Sequence, residues 1–325
     1  MKTIRIGLVG TGGMGRVHYC NIAAIEGAKV AAVCASSEKG REAAKEWGLP
    51  CFSSITEMAE AVELDAIDIC SPTYCHHDMV MESLGLGKHT IVEKPIALST
   101  ADAAEMLAQA KKHGVHLYVA QVLQFTKEVA FLRQAVETGE FGKPLDAYFE
   151  RLSSCPKWAM GGWLFDRNKS GLLPYDLHIH DLDIIVSLFG KPKHFSVTER
   201  RGEGKNYPEQ MRFLYEFEDG LTVGAEAAWF NAPIPFTARW RVAFENGVLV
   251  NDGTALTAYR FGTEPKVYDT RDEVMISTGI NVPPCGWYYN ELKHFVECIR
   301  EGKASPCVTE ETLLSVMELL EEMNP

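Results

Sequence analysis

The 325-residue chain has no Cys-x-x-Cys pair, no basic cluster longer than a few residues and no apolar run long enough to cross a bilayer. Its nine cysteines, an odd number, lie scattered from Cys20 to Cys307. Nothing therefore indicates a structural zinc site, and reduced, buried thiols in a cytoplasmic protein are expected. Acidic residues outnumber basic ones by 44 to 32, for a formal charge of -12, whereas a nucleic-acid partner would require a basic footprint. Membrane insertion is not expected either, since a spanning helix needs about 20 apolar residues. The opening MKTIRIGLVG runs directly into a strand and a glycine loop, which predicts no leader peptide. Internal repeats, low-complexity segments and long linkers are also missing.

What is present fits a globular protein of two domains. Hydrophobic residues make up 46% and charged residues 23%, and the length exceeds one ordinary core. Residues 1–122 alternate strand and helix patterns, whereas residues 123–325 are strand-rich. In the first part, Ile4 to Val9 reads as a buried strand followed by Gly10-Thr11-Gly12-Gly13-Met14-Gly15 and a helical run to Glu26. This GxGxxG string stands after a strand and before a helix, the setting in which it binds a dinucleotide. Its glycines allow the tight turn, the backbone's approach to a pyrophosphate, and close packing of helix on strand. The helix N-terminus then faces the phosphates.

The second strand, Lys29 to Cys34, normally ends at an acidic residue that binds the ribose hydroxyls of NAD. Here Ala35 takes that place, followed by Ser36 and Ser37 with Lys39 and Arg41 close behind. Small hydroxyls and nearby cations suit a 2'-phosphate, which favours NADP over NAD. Lys39 and Arg41 as plain solvated charges, with Glu38 serving the ribose, is the competing reading. Further strand and helix pairs run through Ala66 to Cys70, His89 to Glu93 and Val115 to Val119, predicting a doubly wound parallel sheet. Ser71-Pro72-Thr73 and Glu93-Lys94-Pro95 follow two of these strands, where ligand crevices open. Lys94 could equally be a connector lysine paired with Glu93.

Chemistry is expected in the stretch Ser170 to Gly190, SGLLPYDLHIHDLDIIVSLFG. Apolar residues are too many for one stripe, so a covered helix is predicted, with Pro174 in its first turn and Gly190 at its end. A period of 3.6 puts Asp176 and His180 on one face, with Asp183 three residues on. A histidine near carboxylates in a covered site can be tuned for proton transfer near neutrality, although a hydrogen-bonded core histidine would give the same pattern. His178, His180, Asp181 and Asp183 suggest a zinc set, but residues two apart on a helix point in different directions, so no metal is expected.

Beyond Leu145, segments such as Met211 to Phe217, Leu221 to Trp229 and Thr237 to Phe244 predict an antiparallel meander. Its second face needs cover, which predicts self-association as a dimer or tetramer. Trp163, in a glycine-containing loop shortly before Asp176, is a candidate substrate contact. Two helices near the C-terminus, from Gly286 and from Thr309, read as structural.

The GTGGMG loop, Glu93-Lys94-Pro95 and the Gly171-x4-Asp176-x3-His180-Asp181 segment together resemble the Gfo/Idh/MocA family of glucose-fructose oxidoreductases, inositol dehydrogenases and relatives. The resemblance implies an N-terminal Rossmann domain and a C-terminal α/β domain built on a large, open, mostly antiparallel sheet. It also implies a catalytic set of Lys94, Asp176 and His180, with Ser71, Pro72, His76, Glu93 and Lys94 near the nicotinamide. Gln124 stands where relatives often carry an arginine and is a second candidate substrate contact; Gly171-Leu172 replaces a glycine pair. The implied activity is hydride transfer between NAD(P) and a secondary alcohol or ketone of a sugar, cyclitol or related polyol. Rival readings are a cofactor-binding sensor and a glycosidase that uses NAD transiently.

Overall fold

The computed structural model describes residues 2–280 and 284–324. Its first unit comprises Met1–Phe125 and Asp272–Glu310. The chain alternates β1 (Ile4–Val9), α1 (Gly13–Ala24), β2 (Ala28–Cys34), α2 (Glu38–Glu46), β3 (Cys51–Phe52), α3 (Ile55–Ala61), β4 (Ala66–Ile69), α4 (His76–Gly85), β5 (His89–Glu93), α5 (Thr100–His113) and β6 (Leu117–Ala120). Short runs such as AIDI, buried at every position, form central strands because both faces of a parallel sheet are covered. The strand order is β3-β2-β1-β4-β5-β6, and each neighbouring pair runs parallel. This is the doubly wound arrangement the sequence predicts, with its order reversing between β1 and β4.

The second unit comprises Thr126–Arg271 and Glu311–Pro325. It starts with α6 (Lys127–Thr138) and β7 (Pro144–Ser154), followed by α7 (Arg167–Ser170) and α8 (Ile179–Phe189). Strands β8 (His194–Arg200), β9 (Gln210–Glu216), β10 (Thr222–Phe230), β11 (Thr237–Phe244), β12 (Gly247–Asn251), β13 (Leu256–Tyr259) and β14 (Lys266–Tyr268) follow, and then α9 (Trp287–Glu301) and α10 (Glu310–Met323). Eight strands lie in the order β14-β13-β12-β11-β7-β10-β9-β8. The predicted meander needs one correction: β7 sits in the middle and pairs parallel with β10, while β11 pairs with it antiparallel. A strand separated from its neighbours by a helical segment is free to enter the centre of a sheet, which local strand patterns do not reveal.

Register sorts the faces of this sheet. Trp240, Phe149, Ala225 and Phe213 lie in one row across β11, β7, β10 and β9, and all four are buried. The adjacent row, on the opposite face, holds Arg239, Glu150, Glu226 and Arg212. α9, although late in the chain, belongs to the first unit, where Leu292, Phe295, Val296 and Ile299 join Ile4, Ile6 and Ile22 in one buried cluster. A single boundary after residue 122 therefore misses a return segment whose apolar face needs the Rossmann core. Among the described residues no helix is long and apolar enough to cross a membrane.

Candidate active site

In the first unit, Gly10 turns the chain at φ +87°, where a Cβ would meet the Cys70 carbonyl oxygen at 2.8 Å. A Cβ on Gly15 would lie 2.0 Å from the Gly10 carbonyl oxygen, so only glycine allows α1 to pack this closely. A Cβ on Gly12 would meet nothing within 4 Å, and no side chain caps α1 there. The first amides of α1 are thus left uncapped, with open space beside Gly12, as the cradle of a pyrophosphate requires. The residues present fit a dinucleotide.

At the end of β2, Ala35 is buried. Ser37 caps α2 by accepting from the Gly40 amide at 3.0 Å, and Arg41 donates to the Ser36 carbonyl at 2.7 Å. The Arg41 side chain consequently lies over the Ser36-Ser37 turn. Thr11 reaches the same corner: its hydroxyl would stand 2.9 Å from a Cβ on Gly40.

The ends of β4 and β5 carry Ser71-Pro72 and Glu93-Lys94-Pro95, the last with a cis Lys94–Pro95 bond. His76 joins these two ends, its Nδ1 2.8 Å from the Pro95 carbonyl and its Nε2 3.0 Å from that of Ser71. Burial lowers its pKa, and a neutral imidazole donates to only one of the two. Expected beside the nicotinamide, His76 is itself 1% exposed and touches backbone in both directions. Lys94 is half-buried. Gln124, in a short 3-10 segment Val122–Phe125, is buried.

His18, which no sequence motif marks, lies buried in the first unit. It faces both Asp68 oxygens through Nδ1 at 3.0 and 2.9 Å, and Glu93 through Nε2 at 3.1 Å. An aspartate inside the buried run AIDI must find a partner, and that was the available signal. Among the described residues, His18, Asp68 and Cys70 are the trio whose ligand atoms lie within 4.8 Å of one another. Burial pushes the Cys70 thiol's pKa up, and the thiol donates to Asp68 Oδ1 at 3.7 Å, so hydrogen bonds join the three side chains.

In the second unit, the predicted helix from Pro174 is not uniform. Pro174–His178 forms a π turn in which the Ile179 amide bonds the Pro174 carbonyl, and regular α-helix starts at Ile179. Just before it, Leu172 holds φ +66° while 1% exposed. The polar residues of this stretch then divide. His178 is buried, stacked on Phe213 at 3.7 Å, with Nε2 2.6 Å from the Tyr215 hydroxyl; burial lowers its pKa to about 3. Asp181 receives two bonds from Arg151 of β7, at 3.1 and 2.7 Å, and Asp183 is 1% exposed. Asp176 and His180 alone of the five remain half-buried. Asp183, expected alongside them, is closed inside the unit. Trp163 is half-buried in the 3-10 run Met160–Phe165, next to Gly161 and Gly162, both with φ of 65°.

A family profile described as "Oxidoreductase family, NAD-binding Rossmann fold" matches residues 4–121, and the profile of the GFO/IDH/MocA C-terminal domain matches residues 129–250. The chain is 29% identical over 225 residues to 2,7-anhydro-N-acetylneuraminate hydratase of Mediterraneibacter gnavus, an alignment covering 67% of this chain and 60% of that protein. It is 28% identical over 328 residues to scyllo-inositol 2-dehydrogenase (NAD(+)) of Bacillus subtilis, covering 94% and 89%. Levoglucosan dehydrogenase, solved with NADH and levoglucosan, superimposes with a TM-score of 0.85 at 18% identity, covering 99% of this chain and 97% of that one. The chain spans about three fifths of the hydratase's length. With both family domains matched in sequence order, over a Rossmann cradle and an open mixed sheet, the chain belongs to the Gfo/Idh/MocA family of oxidoreductases.

Proposed function

We propose that the protein is an NAD(P)-dependent dehydrogenase that interconverts a secondary alcohol and a ketone on a sugar, cyclitol or related polyol. One observation carries this reading: of the polar residues on the π turn and α8, His178, Asp181 and Asp183 are closed inside the unit while Asp176 and His180 reach solvent. When bound, the nicotinamide supplies hydride acceptance and donation. His180 takes the hydroxyl proton during oxidation and returns it to the oxygen during reduction. Lys94 stabilises the negative charge that develops on that oxygen and helps tune the site's pKa. Asp176 orients His180 or binds a neighbouring hydroxyl, and Trp163 and Gln124 are candidate substrate contacts. The glycine loop holds the pyrophosphate, with Ser71, Pro72, His76 and Glu93 around the nicotinamide end.

NADP is the favoured cofactor. The support is the buried Ala35 in place of an acid and the Arg41 guanidinium drawn over Ser36 and Ser37, a cationic corner suited to a 2'-phosphate. Parallel fluorescence titrations of the cofactor-stripped protein with NADPH and NADH test it: tighter NADPH binding is expected, and an NADH preference overturns the assignment. For the reaction, His180→Ala is expected to lower single-turnover hydride transfer by about 10²- to 10⁴-fold with cofactor affinity kept; full hydride-transfer rates would overturn the role of His180. The relative named as a hydratase favours a second reading, in which the substrate is oxidised only transiently and the hydride returns within one turnover. Product formation without net change in cofactor absorbance would establish that second reading.

A further inference from the structure

Lys94 is anchored through its neighbours on both sides. Pro95, after it, is bound by His76. Before it, Glu93 Oε2 accepts from the Lys94 amide at 3.1 Å, while Oε1 meets His18 Nε2 and His18 Nδ1 meets Asp68. His18 and Asp68 are 0% exposed and Glu93 is 7% exposed. Ionised carboxylates only accept hydrogen bonds, so an imidazole between two of them is satisfied when both nitrogens carry protons. Burial is the largest single influence on His18 and acts to lower its pKa, but Asp68 and Cys70 together outweigh it and the net shift is strongly upward. Glu93 is shifted down, against its own burial, by its bond to His18. The result is a closed ionic cluster joining α1, β4 and β5. His18 has no path to solvent, so proton exchange with a substrate does not explain it.

We propose that His18 is a positioning residue: locked between Asp68 and Glu93, it fixes the peptide that carries Lys94 and so sets where the Lys94 Nζ meets the substrate oxygen. The inference rests on the reading of Lys94 as part of the reaction machinery. It also ties Lys94 to α1, the helix whose N-terminus forms the phosphate cradle, so that one cluster registers the two ends of the cofactor site against each other.

The test is His18→Gln, which keeps a donor for one carboxylate and loses the other. Cofactor dissociation constants are expected to stay within about threefold, while kcat at saturation falls about 100-fold, the scale of an ångström-size misplacement. In the cofactor-free protein, hydrogen exchange of the Lys94 amide is expected to accelerate about tenfold or more. A folded His18→Gln enzyme with wild-type kcat and unchanged Lys94 exchange would overturn the proposal, whatever its melting temperature. Lys94→Ala is measured in parallel: full kcat there removes the functional reading, and the exchange rate still judges the positioning. Should His18→Gln not fold, Glu93→Gln is compared with Glu93→Ala. Glutamine can accept from the Lys94 amide and donate to a neutral His18, so it is expected to recover about tenfold of the kcat lost in Glu93→Ala; equal losses overturn the proposal.

Discussion

Leu172 pairs a buried side chain with a backbone conformation that favours glycine. Left-handed backbone costs a leucine roughly 1–2 kcal/mol, while burying the side chain contributes about 2–3 kcal/mol. Leu172→Gly relieves the strain but forfeits the burial, so a net loss of about 1 kcal/mol is expected, read as a lower midpoint in urea unfolding. His178 makes a separate prediction. Its pKa falls from 6.5 to about 3 on folding, so the unfolded chain binds more protons in that interval and stability declines as pH drops from 6.5 toward 3, by up to about 1.4 kcal/mol per unit. Unfolding free energies at stepped pH should lose that part of the slope in His178→Gln. Neither residue's situation was readable from the chain: Leu172 occupied one half of an expected glycine pair, and His178 was distinguished from His180 only by the sheet lying over it. Gly15 was legible, because no side chain fits where α1 crosses the Gly10 carbonyl.

At the scale of elements, α8 is tied to β7 by the Arg151–Asp181 pair, whose side chains are 7% and 2% exposed. Removing one member strands a buried charge, so Arg151→Met is expected to cost about 3–5 kcal/mol, with much of that recovered in Arg151→Met combined with Asp181→Leu. A double-mutant cycle in chemical denaturation checks it; additive losses would show that the two side chains act independently. The strands β1, β2, β4, β5 and β6 were legible because buried parallel strands read as continuous apolar runs. The π turn at Pro174–His178 was not, since one extra residue per turn leaves no compositional mark. β3, β13 and β14, at two, four and three residues, are too short for a periodic signal, and their pairing depends on neighbours already in place.

For the whole molecule, we propose self-association through the open face of the eight-stranded sheet. Its row Arg239, Glu150, Glu226, Arg212 carries positive ends and a negative centre, with Arg239–Glu150 at 2.6 Å and Arg212–Glu226 at 3.2 Å, and Leu214 is exposed nearby. Sedimentation should report a dimer or tetramer that Arg239→Glu weakens; a monomer at all concentrations would remove the proposal. The sequence by itself determined the strand-helix alternation of a doubly wound parallel sheet, the glycine loop before α1 and the placing of Lys94 at a strand end and of Asp176 and His180 one turn apart, because each depends on a local pattern: burial along a strand, a glycine string between strand and helix, spacing along a helix. Tertiary structure alone decided that β7 enters the centre of its sheet, that α9 completes the first unit's core, and that His18 meets Asp68 and Glu93. Those pairings join residues far apart in the chain, and their energies come from burial and charge that exist only once the surfaces have closed.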